Sequence, residues 1–233
     1  MVKLVMAKVV AVIPARIDST RFPAKMIADE TGKPLIQYAY EVAQRAQSVN
    51  EVFLATDSED IAEVARSFGA QCIMTGEHPN GTCRIAEAVR TMDCDIVVNM
   101  QGDEPKLDPS VIDEVIASLG SSNMATAVCE LQADELHNEN VVKVILDGNN
   151  AIDFTRAFVD GAYRHIGLYV YQAEFLQTYV SMEQTQNEID RKLEQMRAID
   201  RGYSIAAAIV KPQPGGIDTP EQYAEFVKEQ SLL

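Results

Sequence analysis

Long apolar runs are missing from this 233-residue chain. The most apolar stretch, Leu4 to Pro14, is interrupted by Lys8 and stops well short of the roughly 20 residues that cross a bilayer, so it reads as a buried strand. No basic segment followed by an apolar run and a small-residue cleavage site is present, and no secretion signal is expected. Positive charge is scarce: 20 Lys and Arg face 35 Asp and Glu, a formal charge of −15. Affinity for a phosphate backbone rests on clustered cations that displace counterions, so the balance argues against a nucleic-acid partner. Cysteine is sparse as well. Cys72, Cys83, Cys94 and Cys129 make no CxxC pair and have no His at zinc spacing, which predicts free thiols in a reducing cytoplasm. Cys83 has no local His signature that would mark a nucleophile. Glycine is absent from Val2 through Thr31. A dinucleotide fold places GxGxxG after its first strand and a P-loop places GxxxxGK[ST] there, so both are excluded, and an NAD-linked enzyme with them.

What is present is an alternation of Val- and Ile-rich runs with amphipathic stretches, the pattern of helices packed on a sheet. Strands are predicted at Lys8 to Ile13, Glu51 to Ala55, Gln71 to Met74, Ile96 to Met100, Met124 to Glu130, Val142 to Leu146, His165 to Tyr171 and Ser204 to Val210. Helices are predicted at Leu35 to Ala46, Ser58 to Phe68, Thr82 to Met92, Pro109 to Leu119, Ala173 to Val180, Asp190 to Arg201 and Pro220 to Glu229. Asp147-Gly148-Asn149-Asn150 reads as a hairpin turn, after which strands need not be parallel. The expected fold is α/β: a Rossmann-like, mostly parallel sheet flanked by helices, with a mixed C-terminal segment. One domain of this size buries about 70–75% of its unfolded surface and needs no disulfide or metal staple.

Ligands of such sheets sit beyond the carboxyl ends of the strands, which directs attention to four loops. The first carries Arg16, Arg21 and Lys25 with Ser19 and Thr20. Three cations in one short loop of an acidic chain fit a polyphosphate, gripped by Arg forks and a Lys point charge, or else a solvated loop paired with neighbouring acids. The second, Asn99 to Pro105, sets Asp103 at a strand end, as a Mg²⁺ ligand or a helix cap. The third, Gly81 to Glu87, opens a helix whose first N–H groups could face an anion or a base edge, or simply be capped. The fourth, Gly215 to Pro220, places Asp218 as a second metal ligand or an N-cap. Asp57-Ser58-Glu59-Asp60 reads as helix capping, and His78 and His137 as surface groups in polar turns.

Taken in order, these segments resemble one family. Ile13-Pro14-Ala15-Arg16 with Ser19-Thr20-Arg21 and Lys25, Gly32 to Ile36, Ala55-Thr56-Asp57, Gly81-Thr82 with Arg84, Gln101 to Pro105, Arg164 to Tyr169, Leu193 to Arg197 and Asp218-Thr219-Pro220 are similar to the bacterial 3-deoxy-manno-octulosonate (Kdo) cytidylyltransferases, the CMP-Kdo synthetases of the nucleotide-sugar cytidylyltransferase group. The chain departs from that pattern at Ala24-Lys25-Met26, at Cys83, and in the shortened Ala157 to Tyr163 stretch.

The resemblance implies Mg²⁺-dependent transfer of CMP from CTP to the anomeric hydroxyl of Kdo or a related 2-keto sugar acid, with an amino-substituted Kdo as the nearest variant. A noncatalytic nucleotide-binding regulator is the alternative of another class. It implies Arg16, Lys25 and Asp103 as catalytic, and Pro14, Ala15, Arg16, Arg21, Lys25, Thr82, Arg84 and Gln101 as nucleotide-binding. For the sugar acid it implies Gln101, Arg164, His165, Tyr169, Glu194 and Gln195, and for the metal Asp103 and Asp218. It further implies a cytoplasmic homodimer serving lipopolysaccharide synthesis. Within the one domain, residues 1–135 would form the nucleotide-binding core, 136–215 the sugar-acid and dimer-contact segment, and 216–233 the closing metal loop and helix.

Overall fold

A computed structural model describes residues 7–17 and 21–232. Ser19 and Thr20, and the Leu4 end of the first apolar run, lie outside the described residues.

The first strand, β1 (Val9–Ala15), is buried along its whole length, as its unbroken apolar run requires. It pairs in parallel with β2 (Glu51–Thr56) on one side and β4 (Ile96–Asn99) on the other, and β2 pairs in parallel with β3 (Gln71–Met74). Helices connect these strands: α1 (Leu35–Arg45), α2 (Glu59–Ser67) and α3 (Gly81–Val89). Their starts follow from sequence, since Ser58 accepts from the Ile61 N–H and Asn80 from the Cys83 N–H. α4 (Pro109–Leu119) opens on Asp108 with proline in its first turn, and β5 (Met124–Glu130) follows.

Beyond β5 the chain departs from the expected parallel order. β6 (Lys143–Asp147) and β7 (Asn150–Thr155) form the hairpin read from Asp147 to Asn150, with Gly148 at φ 58° in its turn. β8 (Tyr163–Gln172) then enters antiparallel between β4 and β5, and β9 (Ile205–Ile209) adds in parallel beside β5. The sheet is therefore mixed rather than mostly parallel, in the order β3-β2-β1-β4-β8-β5-β9-β7-β6. Because β6 also pairs with β8, and β7 with β9, strands β8, β5, β9, β7 and β6 are hydrogen-bonded in a closed circuit at one end. β7 was not among the predicted strands; its exposed Ile152 breaks the inward-apolar pattern that would have revealed it.

The predicted helix from Asp190 to Arg201 is instead two, α6 (Gln186–Arg191) and α7 (Met196–Asp200), after α5 (Ala173–Ser181). Lys192 ends α6 in the left-handed region at φ 53°, so the helical path stops there.

Apolar side chains collect on both faces. Val9, Ala11 and Ile13 join a core with α1, α2 and α4, while Val10 and Val12 join another with α3, α5 and α7. A third, small cluster joins Leu35, Ile217, Tyr223 and Phe226, with Phe22 against it. It fastens the last helix, α8 (Pro220–Gln230), to the loop that follows β1.

Candidate active site

The loops at the carboxyl ends of β1, β3 and β4 and the turn before α8 meet around a cavity of about 470 Å³. Pro14, Ala15, Arg16, Arg21, Lys25, Arg84, Gln101, Asp103 and Asp218 line it, so nine residues singled out from sequence converge there. At its centre is Lys25, in a 3-10 turn (Lys25–Ile27) that leaves its side chain only 5% exposed. Its Nζ donates to Asp103 Oδ2 at 2.7 Å and to the Ile217 carbonyl at 2.6 Å, and lies 3.7 Å from Asp218 Oδ1. Arg21 reaches the same Asp218 oxygen at 2.7 Å. Ala24, just before Lys25, takes up the left-handed conformation at φ 54°, a strained choice for a residue with a Cβ.

Asp103 and Asp218 thus converge on one cation. Two carboxylates at one point suit Mg²⁺, which takes one or two of them and completes its shell with waters and phosphate oxygens. Among the described residues no group of three or more His, Cys, Asp or Glu could form a closed protein cage. Beside Asp103, burial first and the Asp103 charge second push the Glu104 carboxyl up to about 8.

The cavity's far wall is the loop between β3 and α3. Arg84, on the first turn of α3, donates to Asp57 Oδ2 at 2.7 Å and to Thr75 Oγ1 at 2.7 Å, so its guanidinium holds this wall together. Asp57 is accordingly an ion-pair partner; the capping of α2 falls to Ser58 alone. His78, expected at the surface, is instead part of the cavity wall, its side chain 19% exposed and paired with Glu87. His137 is exposed, stacked on Phe158.

A second cavity, of about 230 Å³, adjoins the first through Gly81 and Gln101, which line both. Thr82, Tyr169, Glu194 and Gln195 line it with Asn99, Tyr171 and Tyr179. Thr82, expected beside the nucleotide, lies in this second cavity and not in the first. The turn between α6 and α7 supplies Glu194 and Gln195, and burial pushes the Glu194 carboxyl up. Arg164 and His165 line neither cavity. Arg164 is bound by Glu135 at 2.8 Å and by the Gln213 carbonyl, where it ties β8 to the chain beyond β9. His165 sits 5.5 Å from Phe154 and 5.2 Å from Tyr169, ring to ring, and burial pushes its pKa down to about 4.

Residues 10–205 match the Cytidylyltransferase family. The chain belongs to that family. Its nucleotidyltransferase relatives include the 3-deoxy-manno-octulosonate cytidylyltransferase of Trichlorobacter lovleyi, 41% identical over 92% of this chain and 95% of the relative. The 8-amino-3,8-dideoxy-manno-octulosonate cytidylyltransferase of Shewanella pealeana is 39% identical over 91% and 94%. A solved CMP:2-keto-3-deoxy-manno-octonic acid synthetase complexed with CTP superposes with a TM-score of 0.92 at 31% identity, covering 97% of this chain and 99% of that one. In this cytidylyltransferase the cationic loop and both carboxylates that the strand ends indicate line the first cavity, whereas no local pattern marks Met26, His78, Pro79 and Asn80 there or Tyr171 and Tyr179 in the second. The two tyrosines look like core residues in one dimension; only the pairing of β8 with β4 and the return of α5 put them at an opening. Among the described residues no helix of this cytidylyltransferase is long and apolar enough to cross a membrane.

Proposed function

We propose that the chain transfers CMP from CTP to the anomeric hydroxyl of 3-deoxy-manno-octulosonate and releases pyrophosphate. The observation that carries this reading is the pair of adjoining cavities, one bearing four cations and two convergent carboxylates, the other lined by tyrosines, amides and a carboxylate. The first suits a triphosphate and the second a polyhydroxylated acid, and Gln101, on both linings, lies where the two reactants would meet.

The sugar hydroxyl oxygen bonds to the α-phosphorus while the bond from that phosphorus to the bridging oxygen of pyrophosphate breaks, and the hydroxyl proton is lost. Such a transfer asks the protein chiefly for positioning and charge stabilisation. Arg16, Arg21 and Lys25 would bind and orient the phosphates, with Pro14 and Ala15 floor to the nucleoside and Arg84 bracing the opposite wall. Asp103 and Asp218 would hold Mg²⁺, which, when bound, offsets repulsion between two anionic substrates and the charge of the departing pyrophosphate. Tyr169, Glu194 and Gln195 would orient the sugar acid, with Thr82 on their side. His165 and Arg164 would act from behind, the first by packing on Tyr169 and the second by fixing the strand that carries it. A Rossmann-like arrangement of the parallel half, a homodimer, a cytoplasmic site and a role in lipopolysaccharide synthesis belong to the same reading.

The Shewanella pealeana relative favours a second acceptor, the 8-amino sugar acid, on the same chemistry. The test is pyrophosphate release with each of the four NTPs, Mg²⁺, and Kdo or 8-amino-Kdo. Release with CTP and Kdo is the expected result. Release with the amino sugar alone would change the acceptor, and release with no cytidine nucleotide would overturn the reading.

A further inference from the structure

The loop between β3 and α3 forms one wall of the first cavity without regular secondary structure of its own. Side chains of α3 hold it from below. Arg84 takes Thr75, and Glu87, one turn further along, takes the next two anchor points. The Glu87 carboxylate accepts from the Gly76 N–H at 3.2 Å and contacts His78 Nε2 with the same oxygen. Contact with His78 is also the first cause, ahead of the Gly76 N–H, that holds the Glu87 carboxyl below its usual range. The helix itself is pressed to the cavity floor: a Cβ on Gly81 would stand 3.0 Å from Pro14 Cγ.

An ionised carboxylate only accepts hydrogen bonds, so His78 Nε2 carries the hydrogen in this contact. In the neutral ring Nδ1 is then an acceptor, on a side chain that lines the cavity beside Pro79 and Asn80. A cytidine nucleotide has two kinds of donor to offer it, the exocyclic amino group of the base and the ribose hydroxyls.

We propose that His78 is a nucleoside-contacting residue that accepts a hydrogen bond from a donor group of the bound nucleotide, and that Glu87 is the positioning residue that fixes its tautomer and place. The inference rests on the proposed use of CTP and deepens it. Arg84 shapes the wall, Lys25 and Arg16 face the phosphates, and His78 reads the nucleoside.

The experiment measures Kd for CTP, UTP and 2′,3′-dideoxy-CTP with Mg²⁺ by calorimetry, and KM for CTP and for the sugar acid alongside kcat. Wild type is compared with His78→Ala, Glu87→Ala, Glu87→Gln and the double His78→Ala/Glu87→Ala variant. His78→Ala and Glu87→Ala should each weaken CTP about tenfold, the worth of one hydrogen bond in a partly enclosed site. The sugar-acid KM, kcat and melting temperature should stay put. Glu87→Gln, which can still accept from His78, should recover part of the loss, and the double variant should be no worse than His78→Ala. A loss at CTP that vanishes for UTP identifies the base amino group, and one that vanishes for the dideoxynucleotide identifies a ribose hydroxyl. Equal losses for all three nucleotides, additive losses in the double variant, or unchanged CTP affinity in either single variant would overturn the proposal. If wild type binds no cytidine nucleotide, the proposed function falls and takes this inference with it; if wild type binds CTP and the variants do too, only the inference falls.

Discussion

Lys25 stands where two carboxylates meet, and its neighbours define what each substitution there should do. Asp103→Asn keeps the shape and one acceptor for the Lys25 ammonium but removes the charge that would hold a divalent ion. With the metal contribution worth several kcal/mol, kcat/KM is expected to fall at least about 10²-fold at an unchanged melting temperature. Unaltered kinetics would remove Asp103 from the site. His165 makes a separate prediction about pH. The single hydroxyl hydrogen of Thr126 goes to the Leu168 carbonyl at 2.8 Å, so Thr126 Oγ1 accepts from His165 Nε2–H at 3.0 Å. With the folded pKa pushed down to about 4 from 6.5, the unfolded chain binds a proton between those values that the native ring refuses. Stability from this residue is therefore present above pH 6.5 and is lost as pH falls toward 4, by up to about 3 kcal/mol. Melting curves of His165→Gln should be flatter across that window than those of wild type; parallel curves would contradict the assignment.

At the scale of elements, the second cavity depends on a break between two short helices. α6 starts with a capping box between Thr185 and Glu188, and the same Glu188 binds Arg197 of α7 at 2.5 Å, both side chains 5% exposed. Arg197 also lies over the Tyr179 ring, 5.0 Å from its centroid. This pair clamps the turn that presents Glu194 and Gln195. Arg197→Met alone leaves a buried carboxylate unpaired, and denaturant unfolding should show a loss of about 3–5 kcal/mol. Adding Glu188→Leu should return most of it, because apolar side chains of similar volume can replace a buried ion pair. A double variant as unstable as the single would mean the pair contributes more than its charges. The last helix plays a matching part for the first cavity: Tyr223 and Phe226 pack with Phe22 and Ile217, and those two adjoin Arg21 and Asp218 in sequence.

Over the whole molecule, a chain with a net charge of −15 gathers Arg16, Arg21, Lys25 and Arg84 around one cavity. That concentration is tolerable because acids on other elements, Asp57, Asp103 and Asp218, come back to meet three of them. Since Lys25 already offsets the two convergent carboxylates, the fold has no electrostatic need of a divalent ion. EDTA should therefore leave the thermal transition in place while abolishing turnover, and Mg²⁺ should restore it. A fall in melting temperature with EDTA would point to a structural metal instead. The same scale explains what could be read in advance. Among the described residues, eight of the nine strands and the hairpin turn are legible near their true places, because β1, β2 and β4 are apolar runs closed by polar loops. The antiparallel entry of β8 was not, since a strand's direction depends on which neighbours it finds and not on its own residues.

The amino-acid sequence alone determined the chemistry at the strand ends: three cations after β1, an acid after β4 and another before α8 are local facts, fixed by apolar runs that stop and polar ones that begin. Tertiary structure decided which of these meet. It brought Asp218 across the chain to Lys25, placed Thr82 in the second cavity, left Arg164 and His165 off both cavity linings, and turned His78 from a surface residue into part of a wall. Those outcomes depend on contacts between residues far apart in sequence, formed as burial of both sheet faces draws the loops together, and no local pattern encodes them.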